Sequence, residues 1–407
     1  MGVRRPSETE PGDDAVRGNK VDDLRRHNLA TIIGIVHRDG PSSRSVLTRL
    51  TGLNRSTIAA LVGELVDLGL VRETDPLAAR AAGRPSPMVV ASSDVVAFAV
   101  NPEIDAITVG AVGFTGEVRE RVRVPTEGPP SVDDAVRSAA GEIARMRGAL
   151  APGVRVAGVG VAMPGLVRRE DGMVRLAPHL GWVDEPFGAL LSDATGLPVR
   201  TANDAGLGAM AETLFGAGRG VRDLVYLNGG ASGIGGGVIV DGHPLRGLGG
   251  YAGEFGHTFV HSGGIRCHCG AIGCLETEVR QERLLAILGL PAADADRLDL
   301  AIAGSASEAL AAEIARQLSF LAIALRNAVN VFNPRLLVLG GFLGSLYEAS
   351  PDALDAALAE QALPASAALV TVSRARLRAT ILMVGAAELA FEQLLADPAG
   401  MPAGSRG

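Results

Sequence analysis

The stretch YAGEFGHTFVHSGGIRCHCGAIGCLE, residues 251–276, holds all three cysteines of a 407-residue chain. One residue separates Cys267 from Cys269, four more precede Cys274, and His257 stands ten residues before Cys267 with the pair Gly263-Gly264 between them. Thiolates and a neutral imidazole are donors that suit a tetrahedral zinc ion, and a closed shell of three sulfurs and one nitrogen is structural, with no open position for catalytic water. The glycines let a short chain wrap round one ion. Three incidental thiols are the plain alternative, and their confinement to one eight-residue window favours the metal. His268, flanked by two cysteines, competes for the histidine place; adjacent residues have difficulty aiming every side chain at one point, so His257 is the expected ligand.

A second set of candidates lies near the amino terminus. In NRSTIAALVGELVDLGL, from Asn54, the apolar Ile58, Leu61, Val62 and Leu65 share one helical face, and Arg55, Ser56 and Thr57 fill the exposed first turn. Small polar residues and an arginine at a helix start can reach phosphates and base edges in a major groove. Arg44, at the start of the preceding short helix, is counted with them. Arg84, in GRP, can enter a minor groove or remain a solvated loop residue, and the two readings balance. A helical bundle whose arginines merely face water is the alternative for the whole segment.

These residues need elements to position them. Residues 1–20 read as a disordered leader with little to bury. Residues 21–90 read as a winged helix-turn-helix domain: a first helix from Val21 to about Arg38 with Leu24, Leu29, Ile32, Ile33 and Val36 as its stripe, a short helix through Leu50, a third capped by Asn54 and ended by Gly69, then a ribbon from LVRE and PMVVAS. From residue 91 to 407 strands and helices alternate. VVAFAV, AITVGAVGF, EVRERVRV, VRVAGVGVAM, DLVYLNG, GIGGGVIV and PRLLVLGG are strands, with helices near 131–149, 204–215 and 306–329, an α/β pattern in two lobes with a cleft between them. PAADADRLDLAIAG is taken as a helical insertion.

The formal net charge is −7, which excludes a whole-chain argument for nucleic acid; residues 1–90 carry 13 Lys and Arg against 11 Asp and Glu, so a local one survives. No apolar run is long and uninterrupted enough for a membrane span, no secretory signal core is visible in the first residues, and a cytoplasmic protein is expected.

The combined pattern resembles the ROK family of bacterial repressors and sugar kinases, in its longer transcriptional-regulator branch, over nearly the whole chain after the leader. GGYAGEFGHTFV and CHCGAIGCLE are similar to that family's glycine-rich Glu-x-Gly-His element and its Cys-x-Cys-Gly-x-x-Gly-Cys-x-Glu signature. The resemblance implies a two-lobed sugar-kinase-like (actin-like ATPase) fold, zinc on His257, Cys267, Cys269 and Cys274, and a sugar shell of Asn203, Asp204, Glu254, His257 and Glu276, with Gly165 and the AP-HLGW segment shaping the cleft. Asp204 matches the general base of a ROK kinase and would be catalytic only if the chain were an active kinase. The family's Asp-x-Gly-Gly-Thr phosphate turn is replaced by AVNPEIDAITVG, with Asn101 and Pro102 in place of the glycine pair, so ATP is not expected. The glycines of NGGASGIGGG and NPRLLVLGG are assigned to the fold.

The expected function is a sugar-responsive repressor of carbohydrate genes that binds operator DNA as a homodimer or homotetramer and is released by a monosaccharide or modified monosaccharide, with an ATP-dependent sugar kinase as the alternative.

Overall fold

The structure is a computed structural model, and it describes residues 20–75, 87–168 and 170–400. Arg84 and the expected leader up to residue 19 lie outside the described residues. The chain forms two compact units: one runs to Ser92 and takes in the chain again from Gln393, the other is Ser93–Glu392.

In the first unit, α1 (Lys20–Asp39) is followed by β1 (Ser42–Ser43), α2 (Arg44–Thr51), α3 (Arg55–Asp67), β2 (Val71–Thr74) and β3 (Met88–Ala91). The strands form an antiparallel sheet in the order β1-β3-β2. Both short helices are capped as their sequences demand. Ser43 Oγ accepts the Val46 amide at 3.2 Å and Asn54 Oδ1 accepts the Thr57 amide at 2.8 Å. Leu29, Ile32, Ile33, Leu47, Ile58, Val62, Leu65, Leu70 and Val89 are fully buried and make the core. Leu24, expected in the apolar stripe, is 60% exposed. It stands five residues from Leu29, about 140° round a helix of 3.6 residues per turn, off the buried face.

The second unit opens with an antiparallel meander of β4 (Val95–Pro102), β5 (Ala106–Gly113) and β6 (Val118–Pro125). Central β4 and β5 are buried at every position, whereas edge strand β6 alternates, which is why the first two read as unbroken apolar runs. α4 (Val132–Gly148), capped by Ser131, returns the chain to β7 (Arg155–Met163), parallel to β4. A small sheet of β8 (Leu166–Val167), β9 (Val174–Ala177) and β10 (Trp182–Glu185) follows, then α5 (Phe187–Thr195) and β11 (Val199–Asn203). The first large sheet has the order β11-β7-β4-β5-β6.

α6 (Asp204–Phe215) begins where β11 ends and leads to the second large sheet, whose strands are β12 (Leu224–Gly230), β13 (Gly233–Val240), β14 (His243–Pro244), β15 (Leu336–Gly340) and β16 (Thr371–Arg374), ordered β14-β13-β12-β15-β16. Between β14 and β15 lie a 3-10 turn at Phe255–His257, α7 (Leu275–Glu278), α8 (Gln281–Leu288), α9 (Leu298–Ala303) and α10 (Glu308–Phe332). α11 (Gly341–Ala349), α12 (Pro351–Gln361) and α13 (Pro364–Ala367) separate β15 from β16, and α14 (Ile381–Ala396) ends the described chain. The glycines of GIGGG let α6 lie directly on β13: a Cβ at Gly235 would stand 2.7 Å from the Cβ of Ala205, and one at Gly237 2.6 Å from that of Ala209.

One segment departs from the sequence expectation about membranes. Arg378–Ala396 is long and apolar enough to cross a bilayer by length and composition alone. Most of it is buried in the fold, with Val384, Ala387 and Phe391 in the core and the Phe391 ring edge-on to Phe114 at 5.0 Å. A helix packed on all sides reads as apolar all round without any lipid.

Candidate functional site

The cysteine-rich segment folds back on itself. The Val260 amide donates to the Gly273 carbonyl at 2.8 Å and the Leu275 amide to Thr258 at 2.9 Å, and single bridges join Phe259 to Cys274 and Arg266 to Ile272. This pairing brings His257 against cysteines ten and more residues away. The ligand atoms of His257, Cys267, Cys269 and Cys274 all lie within 4.8 Å of one another. Cys267 Sγ is 3.6 Å from His257 Nδ1, and Cys269 Sγ is 3.7 Å from Cys274 Sγ. Bonds of about 2.3 Å to sulfur and about 2.0 Å to nitrogen at tetrahedral angles imply edges of about 3.8 Å between sulfurs and about 3.5 Å between sulfur and nitrogen. The four residues fit such a centre.

A second set, His257, Cys267, His268 and Glu276, overlaps the first. Here Glu276 Oε1 lies 3.0 Å from Cys267 Sγ, 3.0 Å from His268 Nδ1 and 3.5 Å from His257 Nδ1. His268 Nδ1 thus lies nearer the carboxylate than the Cys267 sulfur, which is 3.8 Å away, and its ring packs edge-on to His257 at 5.1 Å and to His179 at 5.7 Å. Softer donors and matching edges both favour the three-cysteine set, with Glu276 beside it. Burial, then Glu276, pushes the Cys267 thiol up; burial raises Cys274 as well, while the Ala271 backbone amide lowers exposed Cys269. A divalent cation reverses such a penalty by pairing with the thiolates.

Beside this cluster Glu254 comes within electrostatic reach of two further carboxylates, Asp204 and Glu276. Burial lifts the Asp204 carboxyl to about 6, and the charge of Glu254 adds to the rise. Burial raises Glu254 too, opposed by His257 and reinforced by Glu276. Asp204 Oδ1 accepts the Ala205 amide at 2.8 Å, at the start of α6. Glu276 lies close over β13: a Cβ at Gly233, whose φ is +114°, would stand 2.6 Å from Oε2. Carboxylates offer only acceptors when ionised, and a wall of them suits a ligand that presents several hydroxyl donors.

Asn203 is more committed than its sequence role implied. Its Oδ1 accepts the Gly206 amide at 3.0 Å as the cap of α6, and its Nδ2 donates to the Gly165 carbonyl at 3.0 Å. It fastens the β11–α6 corner to the turn after β7 and keeps one amide hydrogen for a ligand. His268, weighed from the sequence as the rival for the metal-ligating histidine, does stand in the overlapping set, whereas His179, which packs on it, was only one letter in AP-HLGW.

The turn between β4 and β5 is closed to phosphate. Asn101 Nδ2 donates to the Ala162 carbonyl at 2.9 Å, Pro102 has no N–H, and the Glu103 amide donates to Ala106 at 2.8 Å. Glu103 and Asp105 put carboxylates on the same turn, paired with Arg123 at 3.2 and 2.6 Å. Phosphate would meet like charge and no free glycine amide there.

At the start of α3, Arg55 and Ser56 are exposed, and the Ser56 hydroxyl donates to Asn54 Oδ1 at 2.7 Å. Thr57 is half-buried and lines a groove along α1 with Leu24, Asn28 and Ala60. Arg44 already has a bidentate partner, Glu73, with two contacts of 2.6 Å.

Two five-stranded sheets flanked by helices, with a carboxylate-lined site at the β11–α6 corner, define a two-lobed α/β protein of the sugar-kinase-like class. The ROK family model matches residues 100–393, and the chain belongs to that family. It is 27% identical over 343 residues to the xylose repressor of Caldicellulosiruptor bescii, covering 80% of this chain and 86% of that one. It is also 27% identical over 397 residues to the DNA-binding transcriptional repressor Mlc of Escherichia coli K12, covering 94% and 95%. Among solved structures, a ROK family transcriptional regulator described as a homolog of the E. coli Mlc protein superposes with a TM-score of 0.75 at 26% identity, over 92% of this chain and 97% of that one.

Proposed function

We propose that the protein is a sugar-responsive transcriptional repressor. The observation that carries this reading is a carboxylate group of Asp204, Glu254 and Glu276 on a chain whose β4–β5 turn offers no glycine donors to phosphate and which adds three helices and an antiparallel ribbon in front. In this reading the sugar-contacting groups are kept and one phosphate-binding turn is not.

In this reading the first unit is a winged helix-turn-helix, with α3 as the helix that enters the major groove and Arg55 and Ser56 as its leading contacts. A homodimer matches the two-fold symmetry of an inverted-repeat operator. The second unit takes a monosaccharide, whose hydroxyls donate to Asp204, Glu254 and Glu276 and accept from the free Asn203 amide hydrogen. His257, Cys267, Cys269 and Cys274 would hold zinc, which supplies a fixed point for the loop that presents His257 and Glu276. Sugar acts by binding one arrangement of the dimer more tightly than another, which lowers the population able to span both half-sites.

The test is selection of fragmented genomic DNA by the zinc-loaded protein, repeated across a panel of sugars. A two-fold site whose occupancy drops with one sugar supports the reading. Retention of no specific fragment counts against it.

One observation favours the runner-up, an ATP-dependent sugar kinase: Asp204 is held with a raised pKa at the mouth of α6, as a base for a sugar hydroxyl requires. Hexose-dependent ATP turnover that disappears in Asp204→Ala would establish it.

A further inference from the structure

The four metal donors are not equally protected. Cys267 and Cys274 are 4% and 1% exposed, whereas Cys269 lies at the surface. Its sulfur is also 3.7 Å from that of Cys274, across the four residues Gly270-Ala271-Ile272-Gly273. A disulfide needs about 2.05 Å between sulfurs, a contraction of about 1.7 Å that rotation about the two Cα–Cβ bonds and a small shift of the Gly270 turn can supply. Cys267 is placed differently. It is buried, its sulfur faces Glu276 Oε1 at 3.0 Å, and a bond to Cys269 would close a far tighter ring across one residue.

We propose that Cys269 and Cys274 form a peroxide-responsive pair, in which Cys269 is the site of attack and Cys274 the resolving sulfur. The Cys269 thiolate attacks one oxygen of hydrogen peroxide, the O–O bond breaks, and a sulfenic acid and hydroxide result. The Cys274 thiolate then attacks that sulfur, expels a second hydroxide and forms the disulfide. The two sulfurs supply the two electrons that reduce the peroxide. Where His257, Cys267, Cys269 and Cys274 hold zinc, the disulfide would remove two of its four donors and weaken the hold of the other two. Cys274 is the residue before α7, which carries Glu276, so the change falls on the wall of the sugar site. The metal-release half rests on the zinc reading above; the disulfide half does not.

The experiment titrates full-length zinc-loaded protein with hydrogen peroxide, follows released metal with a chromogenic chelator, alkylates the remaining thiols and digests with trypsin. Cleavage after Arg266 and Arg280 leaves all three cysteines in one peptide, CHCGAIGCLETEVR, whose fragments locate the bond. The expected result is one metal released per disulfide, with Cys267 alone alkylated, and reversal by dithiothreitol plus zinc. A bond that includes Cys267, oxidation of Cys269 to sulfinate without a bond, or three alkylated cysteines at peroxide doses that oxidise methionine would each overturn the proposal. Metal-free protein is carried in parallel. If the preparation never holds zinc, the zinc reading fails while the mapped Cys269–Cys274 bond still upholds the pair.

Discussion

Asp204 stands under two opposed demands. In the proposed sugar site it accepts a hydroxyl hydrogen, which favours the ionised form, yet burial and the neighbouring Glu254 lift its carboxyl from 3.8 to about 6. A carboxyl whose folded value lies above its unfolded one contributes stability that is complete below the unfolded value and is lost as pH rises through about 6. Asp204→Asn should therefore raise the unfolding free energy at pH 8, by at most about 3 kcal/mol for two pKa units, with the gain fading towards pH 4. Melting curves of both proteins at the two pH values check this, and an equal difference at both would remove the burial argument. At this scale the metal donors were legible because sulfur and imidazole at loop spacing have few other uses. The double tie of Asn203 was not legible, since its Gly165 partner lies 38 residues away and no local pattern announces it.

Elements were legible in proportion to their length. The 3.6-residue pattern and the Asn54 cap located α3, and the continuous apolar runs located β4, β5 and β7, because those strands are buried on both faces. β1 has two residues and β14 two more, too few for any period to register. α14 carried no amphipathic stripe because it is packed on all sides. Two predictions belong here. Gly237→Ala drives a methyl group into Ala209 between β13 and α6, and should cost about 1–3 kcal/mol in a denaturant titration. On α3, Arg55→Ala should leave the melting temperature unchanged and lower the slope of log affinity for operator against log salt by about 1 if the guanidinium meets a phosphate. Arg44→Ala, whose guanidinium already serves Glu73, should move that slope much less.

At the scale of the molecule, composition alone could separate a near-neutral amino-terminal part from an acidic remainder, but it could not foresee that the chain returns. The first unit takes in residues from Gln393, where Leu394 is fully buried and Asp397 pairs with Arg26 at 3.1 Å. A chain ended at Glu392 should keep its calorimetric response to sugar while the amino-terminal unit melts several degrees lower and operator binding weakens; loss of the sugar response as well would show that the second unit needs the same residues.

Among the described residues the chain therefore passes between the units twice, at Ser92–Ser93 and at Glu392–Gln393, the latter inside the unbroken helix α14. A single cut of the backbone at Ser92–Ser93 would therefore leave residues 1–92 held only by their packing on the returning segment that begins at Gln393.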